Sequence, residues 1–300
     1  MVRITTYVFF DIETTGLPFQ ERNKTKITEL CFLAVSRDDL DIQSGLPPIK
    51  KLSFVLNPEK KIHPDVVVLT GLTNESLKNA PTFKQRANAI VSFLNELPKP
   101  ICLVAHNGNS FDYKILLAEC NDAGILLPSD LLCIDSLIGF RKILKTTQKS
   151  LPLKMNTSKD DSASELLWPE LDVSTENWEE IDNLCASFSK DTCIDDEKSK
   201  KENDLNQQKC TNLKKGRKNK NDLTTQDQSL SIQNKSTKKR EFTLTGLYKR
   251  LLDKDAVNAH RAEDDCVILI ECVLALRDEF LTWADESCKT IHQIKPLIRY

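Results

Sequence analysis

Regular hydropathy patterning stops near residue 155 and resumes only at 241, so a globular core must be closed by two stretches separated by 86 residues. The intervening segment, 155–240, holds one glycine and is rich in Ser, Thr, Asn, Gln, Lys and Asp, with no sustained periodicity. Its halves are oppositely charged. Residues 155–197 carry 13 acidic and 2 basic side chains, a net of −11, and residues 198–240 carry 4 acidic and 13 basic, a net of +9. So little apolar surface cannot offset the entropy of ordering, which predicts a disordered insert. Within it, Trp168, Trp178, Ile181 and Leu184 have the spacing of a short amphipathic turn. The basic clusters at 213–220 and 235–240 have the composition of a solvated charge run, a nuclear-import signal or a phosphate contact. An import receptor or another protein is therefore the partner class expected of the insert.

The flanking segments read as one divided domain, with 1–154 as its first part and 241–300 as its second. "TYVFFDI", "ITELCFLAVS", "LSFVL" and "ICLVAH" are short β-rich runs, while Thr82 to Leu97 and Ser110 to Ala123 have helical apolar spacing. Three early strands followed by alternating helices and strands predict an α/β fold, a mixed central sheet flanked by helices. After the insert, "FTLTGLYKRLL" and "HRAEDDCVILIECVLALRDEFLTWA" predict two helices, the second long, buried and acidic in its first turn.

Composition excludes some classes. The net charge of −2 announces no polyanion partner. The ten cysteines include no CxxC pair, the usage of reduced thiols in an intracellular protein, not of a disulfide framework or zinc site. "MVRITTYVFF" lacks the features of a secretory signal. The most apolar run, Cys266 to Leu276, is too short for a bilayer and is interrupted by Glu271. The expectation is a protein of the nucleus or cytoplasm, not secreted and without a membrane partner.

Chemistry is concentrated at "VFFDIETTGLP", where an apolar strand ends in Asp11 and Glu13 just before Gly16, a glycine expected to let the chain turn away. Residues two apart on a strand share a face, so both carboxylates converge beyond the strand end. Each would hold its proton unless a cation compensates, and a divalent metal supplies that compensation. "LVAHNGNSFDYKILLAEC" adds Asp112 at a helix start, and "AHRAEDDCVIL" adds His260 with Asp265 five residues on. Taken singly, solvated turn acids, a helix cap and dipole-favoured acids explain these residues. Jointly, four acids at strand ends and helix starts point to a metal centre.

These segments resemble the three motifs of the DEDDh-type 3′-to-5′ exonucleases of the ribonuclease H-like fold: "FDIETTG", "HNGNSFD" and "HRAEDD". Together with "LTGLTNESL", "CIDSL" and "FTLTGLYKRLL", they are most similar to the TREX (three-prime repair exonuclease) branch, over roughly 1–150 and 241–282. The resemblance implies Asp11, Glu13, Asp112 and Asp265 as metal-binding acids and His260 as general base. It implies Leu17 as a wedge beside the terminal base, Leu69 as a residue stacking on it, and the Thr14 backbone as a contact to the 3′-hydroxyl. Ser110 departs from the pattern, standing where mammalian members have a basic residue that contacts the DNA backbone.

An all-oxygen site suits Mg²⁺, two per active site, with Mn²⁺ as a substitute; such pairs, about 3.5–4 Å apart, stabilise both the attacking and the leaving oxygen. The implied activity is release of nucleoside 5′-monophosphates from single-stranded or mismatched 3′ ends of DNA, in degradation or repair. Two alternatives are an exoribonuclease and an inactive nucleic-acid-binding module of the same fold, although all five motif residues are present. TREX relatives dimerise through edge strands, and Leu52 to Leu56 is the candidate edge for a homodimer.

Overall fold

The computed structural model describes residues 2–41, 45–149, 242–256 and 260–299, the side chains of 147–149 excepted. The insert 155–240, with Trp168, Trp178, Ile181, Leu184 and both basic clusters, lies outside the described residues. Along the chain run β1 (Thr6–Thr14), β2 (Ile27–Ser36), α1 (Arg37–Leu40), β3 (Lys50–Val55), α2 (Pro64–Thr70), α3 (Asn74–Leu77), α4 (Phe83–Asn95), β4 (Ile101–Ala105), α5 (Asp112–Ala123), β5 (Leu132–Asp135) and α6 (Ser136–Lys149). The second part adds α7 (Leu244–Leu252), α8 (Ala262–Ala275), α9 (Arg277–Ser287) and the two-residue β6 (Lys289–Thr290).

The six strands form one mixed sheet in the order β3-β2-β1-β4-β5-β6. β1 pairs antiparallel with β2 and parallel with β4, so the β-hairpin arm and the β/α crossover meet at the central strand. β3, the strand expected at an edge, is one. The two interior faces explain the nearly continuous apolar runs of β1, β2 and β4, which are covered on both sides.

Alternation along β1 sorts its side chains between two cores. Phe10 stacks on Phe32 of β2 at 4.8 Å between ring centroids and on Tyr113 of α5 at 6.1 Å, on the α5 side of the sheet. Tyr7 and Phe9 point the other way, into a cluster with Leu33, Val104 and Phe140 that the second part of the chain seals with Leu247, Cys266, Ile270, Val273 and Phe280. Full burial of each large apolar side chain contributes about 1.5–3 kcal/mol, so the sheet has a solvated face until α7–α9 dock. The two parts are thus one fold.

The long helix expected from "HRAEDD" onward is broken. Leu276, with φ −129° and ψ 35°, ends α8 and begins α9. The redirected helix packs Trp283 against α6 where Gly139 offers no side chain; a Cβ there would come within 2.4 Å of the indole. Packing against α6 thus overrides a local sequence with no Gly or Pro to mark a stop. Elsewhere local signals and structure agree: Thr82 and Gln85 form a reciprocal capping box at α4, and Gly71 and Gly124 take left-handed φ values of 71° and 72° at the C-termini of α2 and α5.

Candidate active site

The row of β1 side chains that begins with Tyr7 and Phe9 continues as Asp11 and Glu13, because alternate strand residues share a face. The face that is oily at one end of the strand becomes acidic at the other. α8 crosses this face and brings Asp265 to it, and ligand oxygens of Asp11, Glu13 and Asp265 all lie within 4.8 Å of one another. Asp112, the first residue of α5, is outside that group of three but near enough for its charge to raise the pKa of Asp11.

Such crowding is electrostatically costly. Two unit charges about 4 Å apart at an effective dielectric of about 20 repel by roughly 4 kcal/mol. Burial, and then the charges of Asp112, Asp265 and Glu13, raise Asp11 well above the usual carboxylate range. Glu13 rises likewise through burial, Asp265 and Glu29, with Arg261 opposing. Burial chiefly pushes Asp112 up to about 8, with Asp135 and Asp265 adding and backbone hydrogen bonds at Asp112 itself and Ile12 opposing. Asp265 is raised to about 6 by burial, against the stabilising backbone hydrogen bond from His260. Among these causes the one opposing positive charge is that of Arg261, acting on Glu13. A converging all-oxygen donor set whose burial and mutual repulsion raise all four pKa values fits hard divalent cations.

Each acid is delivered by a braced backbone. The loop after β4 is held by Asp135, at the end of β5, whose Oδ1 accepts from the N–H groups of Asn107 (2.9 Å) and Leu137 (3.1 Å) and whose Oδ2 accepts from that of Asn109 (3.1 Å). His106 is clamped between Ser136 Oγ at 3.0 Å and the Phe242 carbonyl at 2.9 Å, a contact joining the two parts of the domain. Gly108 is required because a Cβ would come within 2.6 Å of Ala105 and 2.7 Å of Tyr113. Asp112 then opens α5 with no side-chain cap bond from the preceding residue.

At the start of α8, His260 takes a left-handed φ of 77° and its backbone N–H donates to Asp265 Oδ2 at 3.0 Å. Burial lowers the His260 pKa, favouring the neutral imidazole. The next residue, Arg261, forms a two-pronged ion pair with Glu29 on β2, Nε to Oε2 at 2.9 Å and Nη2 to Oε1 at 2.7 Å.

The expected substrate contacts sit where β1 ends, directly after the paired acids. Thr14 is buried, with its hydroxyl donating to the Gly16 carbonyl at 3.1 Å, and Leu17 is half-buried. Leu69 is 40% exposed on α2, and the His63 N–H at the head of that helix donates to the Thr15 carbonyl at 2.8 Å. The Thr14–Leu17 turn and the helix carrying Leu69 are thereby joined. Gly16 does not have a left-handed φ; its lack of a side chain instead leaves room for Glu21, whose Cδ would lie 3.2 Å from a Cβ. Ser110 lies in the braced loop, its N–H donating to the Asn107 carbonyl.

Sequence reasoning missed Asp135, Glu29 and the role of Arg261. Asp135 had a signal, a lone acid ending the short apolar run "LLCID". Glu29 had one also, a charge within "ITELCFLAV", but its partner is 232 residues away.

A mixed six-stranded sheet flanked by helices, with acids gathered at the end of its central strand, is the ribonuclease H-like fold of the exonucleases. The chain belongs to the exonuclease family, which matches it over residues 8–171, and its similarity within that family runs to the three-prime repair branch. It is 36% identical over 164 residues to human Three-prime repair exonuclease 1, covering 48% of this chain and 50% of that one. It is 37% identical over 150 residues to human Three prime repair exonuclease 2, covering 46% and 62%. The chain thus spans half to about three-fifths of these relatives. The solved structure of exonuclease I, at 14% identity, shares the fold with a TM-score of 0.53, covering 93% of this chain and 43% of that one. The family match ends before His260 and Asp265, whose assignment rests on the third motif and on their place in the fold.

Proposed function

We propose that this chain is a metal-dependent 3′-to-5′ DNA exonuclease that releases nucleoside 5′-monophosphates, preferring single-stranded or mismatched ends, in DNA degradation or repair. The observation that carries the reading is the convergence of Asp11, Glu13 and Asp265 within 4.8 Å. The similarity to the two human three-prime repair exonucleases supports DNA as the substrate.

Asp11, Glu13, Asp112 and Asp265 hold two Mg²⁺, with Mn²⁺ as a substitute. Bound cations supply charge neutralisation and Lewis acidity at the phosphodiester. His260, held neutral by burial, accepts the proton of the attacking water. The water oxygen bonds to phosphorus as the bond to the 3′-oxygen breaks, so the phosphate leaves on the 5′-oxygen of the released nucleotide and the shortened strand regains a 3′-hydroxyl. The Thr14 backbone holds the terminal hydroxyl, Leu17 wedges beside the last base and Leu69 stacks on it. Unpaired ends react faster because freeing a paired base costs a few kcal/mol. The free edge of β3 supports a homodimer joined through that strand, and an intracellular site of action accords with its nucleic-acid substrate.

The test is digestion of 3′-labelled single-stranded DNA, duplex DNA and RNA with Mg²⁺ or EDTA. Stepwise release of labelled 5′-mononucleotides from DNA, abolished by EDTA, is expected. Faster digestion of RNA would move the assignment to an exoribonuclease, and no digestion of any substrate would leave a binding module.

A further inference from the structure

The acids of β1 and the acid of α8 meet only if two elements distant in sequence are brought into register. One buried side chain of β2 ties the helix start to the sheet. Glu29 of β2 is opposite Glu13 in the β1–β2 ladder, and its buried carboxylate accepts from three donors, Arg261 Nε at 2.9 Å, Arg261 Nη2 at 2.7 Å and the Ala262 N–H at 3.2 Å. All three belong to the first residues of α8 or its cap. Arg261 also supplies the carbonyl that accepts the Asp265 N–H at 3.0 Å, and it is the immediate neighbour of His260. A shift of Arg261 therefore moves base and ligand together.

We infer that Glu29 and Arg261 are positioning residues, a latch that sets the start of α8 against β1 and β2 so that Asp265 reaches the carboxylates of Asp11 and Glu13. Burying the Glu29 carboxylate in a charged pair is a poor way to gain stability, since apolar residues of similar volume generally serve as well. What the pair adds is direction. The planar guanidinium engages both carboxylate oxygens, which fixes the helix start in position and angle in a manner that a lysine or an apolar contact cannot. The Glu29 side chain is 5% exposed and that of Arg261 44%, so the anchor is rigid and the arm is reachable from solvent.

The latch has a signature that a nearby charge lacks. A positive charge acting only through space would repel an incoming cation, so weakening its interaction would leave metal affinity unchanged or improved. A positioning role has the opposite sign, because a displaced Asp265 binds metal less well. Partners that orient metal ligands typically contribute 10 to 100-fold in affinity or activity.

This inference rests on the proposed metal site, and calorimetric titration of Mn²⁺ into the wild type, Arg261→Lys and Glu29→Gln separates the two. Both variants are expected to bind Mn²⁺ roughly 10 to 100-fold more weakly, with kcat reduced in proportion and KM for single-stranded DNA unchanged. Arg261→Lys keeps the charge and removes only the fork. Unchanged or tighter Mn²⁺ binding in a folded Arg261→Lys variant overturns the latch while leaving the metal site intact; a wild type that binds no Mn²⁺ overturns the metal site itself. Hydrogen exchange on the metal-free wild type needs no variant. The Ala262 N–H, at a helix start where amides lack intrahelical partners, should be protected like the β2 amides, and exchange at the rate of a solvated amide would refute the latch.

Discussion

The backbone N–H of His260 donates to Asp265 Oδ2 at 3.0 Å, and His260 adopts a left-handed φ of 77° in doing so. The proposed base and the acid that ends its motif are thus one backbone unit. The left-handed conformation costs most L-residues roughly 1–2 kcal/mol, and His260→Asn tolerates it better than His260→Ala. Both should lower kcat by about 10² to 10⁴-fold through loss of the base, while Mn²⁺ binding by calorimetry stays near wild type for Asn. Loss of binding in the Asn variant would make His260 a ligand.

The metal-free protein should lose stability as pH rises. Asp112 and Asp265 have folded-state pKa values raised to about 8 and about 6, and Asp11 and Glu13 are raised also. The native state therefore binds more protons than the unfolded chain, and by linkage its stability falls as pH climbs through these values. The melting temperature in EDTA should drop between pH 6 and 8, and added Mg²⁺ should restore it most at pH 8. A flat profile in both conditions would contradict the crowded, mutually repelling cluster.

Asp11→Asn relieves that repulsion without changing shape. The metal-free variant should melt higher than wild type at pH 8 by about 2 °C or more, the shift expected of 1 kcal/mol in a domain this size, yet release no mononucleotides with Mg²⁺. Differential scanning calorimetry and product chromatography read the two effects separately, and near-normal turnover would remove Asp11 from the metal site.

Two glycines separate packing from chemistry. Gly139→Ala drives a Cβ into Trp283, and Gly108→Ala drives one into Ala105 and Tyr113. Each should cost about 1–3 kcal/mol in denaturant unfolding, or more. Only Gly108 lies on the loop delivering Asp112, so its substitution should also depress kcat of the folded fraction, whereas Gly139→Ala should not.

Leu69, at 40% exposure, contributes little to the core. Leu69→Ala should change stability by no more than about 0.5 kcal/mol and raise KM for single-stranded DNA. An unchanged KM would remove it from the substrate surface.

Strand identity and the acidic cluster were legible because both follow local rules. β1, β2 and β4 carry apolar β-formers, and the two-residue spacing of Asp11 and Glu13 assigns them one face. Asp112 and Asp265 were legible as acids at helix starts, but their approach to β1 is tertiary and came from motif resemblance. The break at Leu276 was hidden because the apolar run passes through it without a stop residue, and α9 turns for the sake of Trp283 against Gly139. Asp135 and Glu29 were unread for a related reason: their partners are backbone amides of a distant loop and an arginine 232 residues away. Gly16 was legible as the residue where the chain turns away after the paired acids, but not that its missing side chain also leaves room for Glu21.

The central claim is that the carboxylates of β1 and α8 hold divalent cations. Crystals grown with Mn²⁺ and a nucleoside 5′-monophosphate, measured at the manganese absorption edge, test it directly. The account predicts anomalous density bridging Asp11, Glu13 and Asp265 beside the nucleotide phosphate, and its loss in Asp11→Asn. A nucleotide bound with no anomalous density at these three residues, or density bound elsewhere and unaffected by Asp11→Asn, would contradict it.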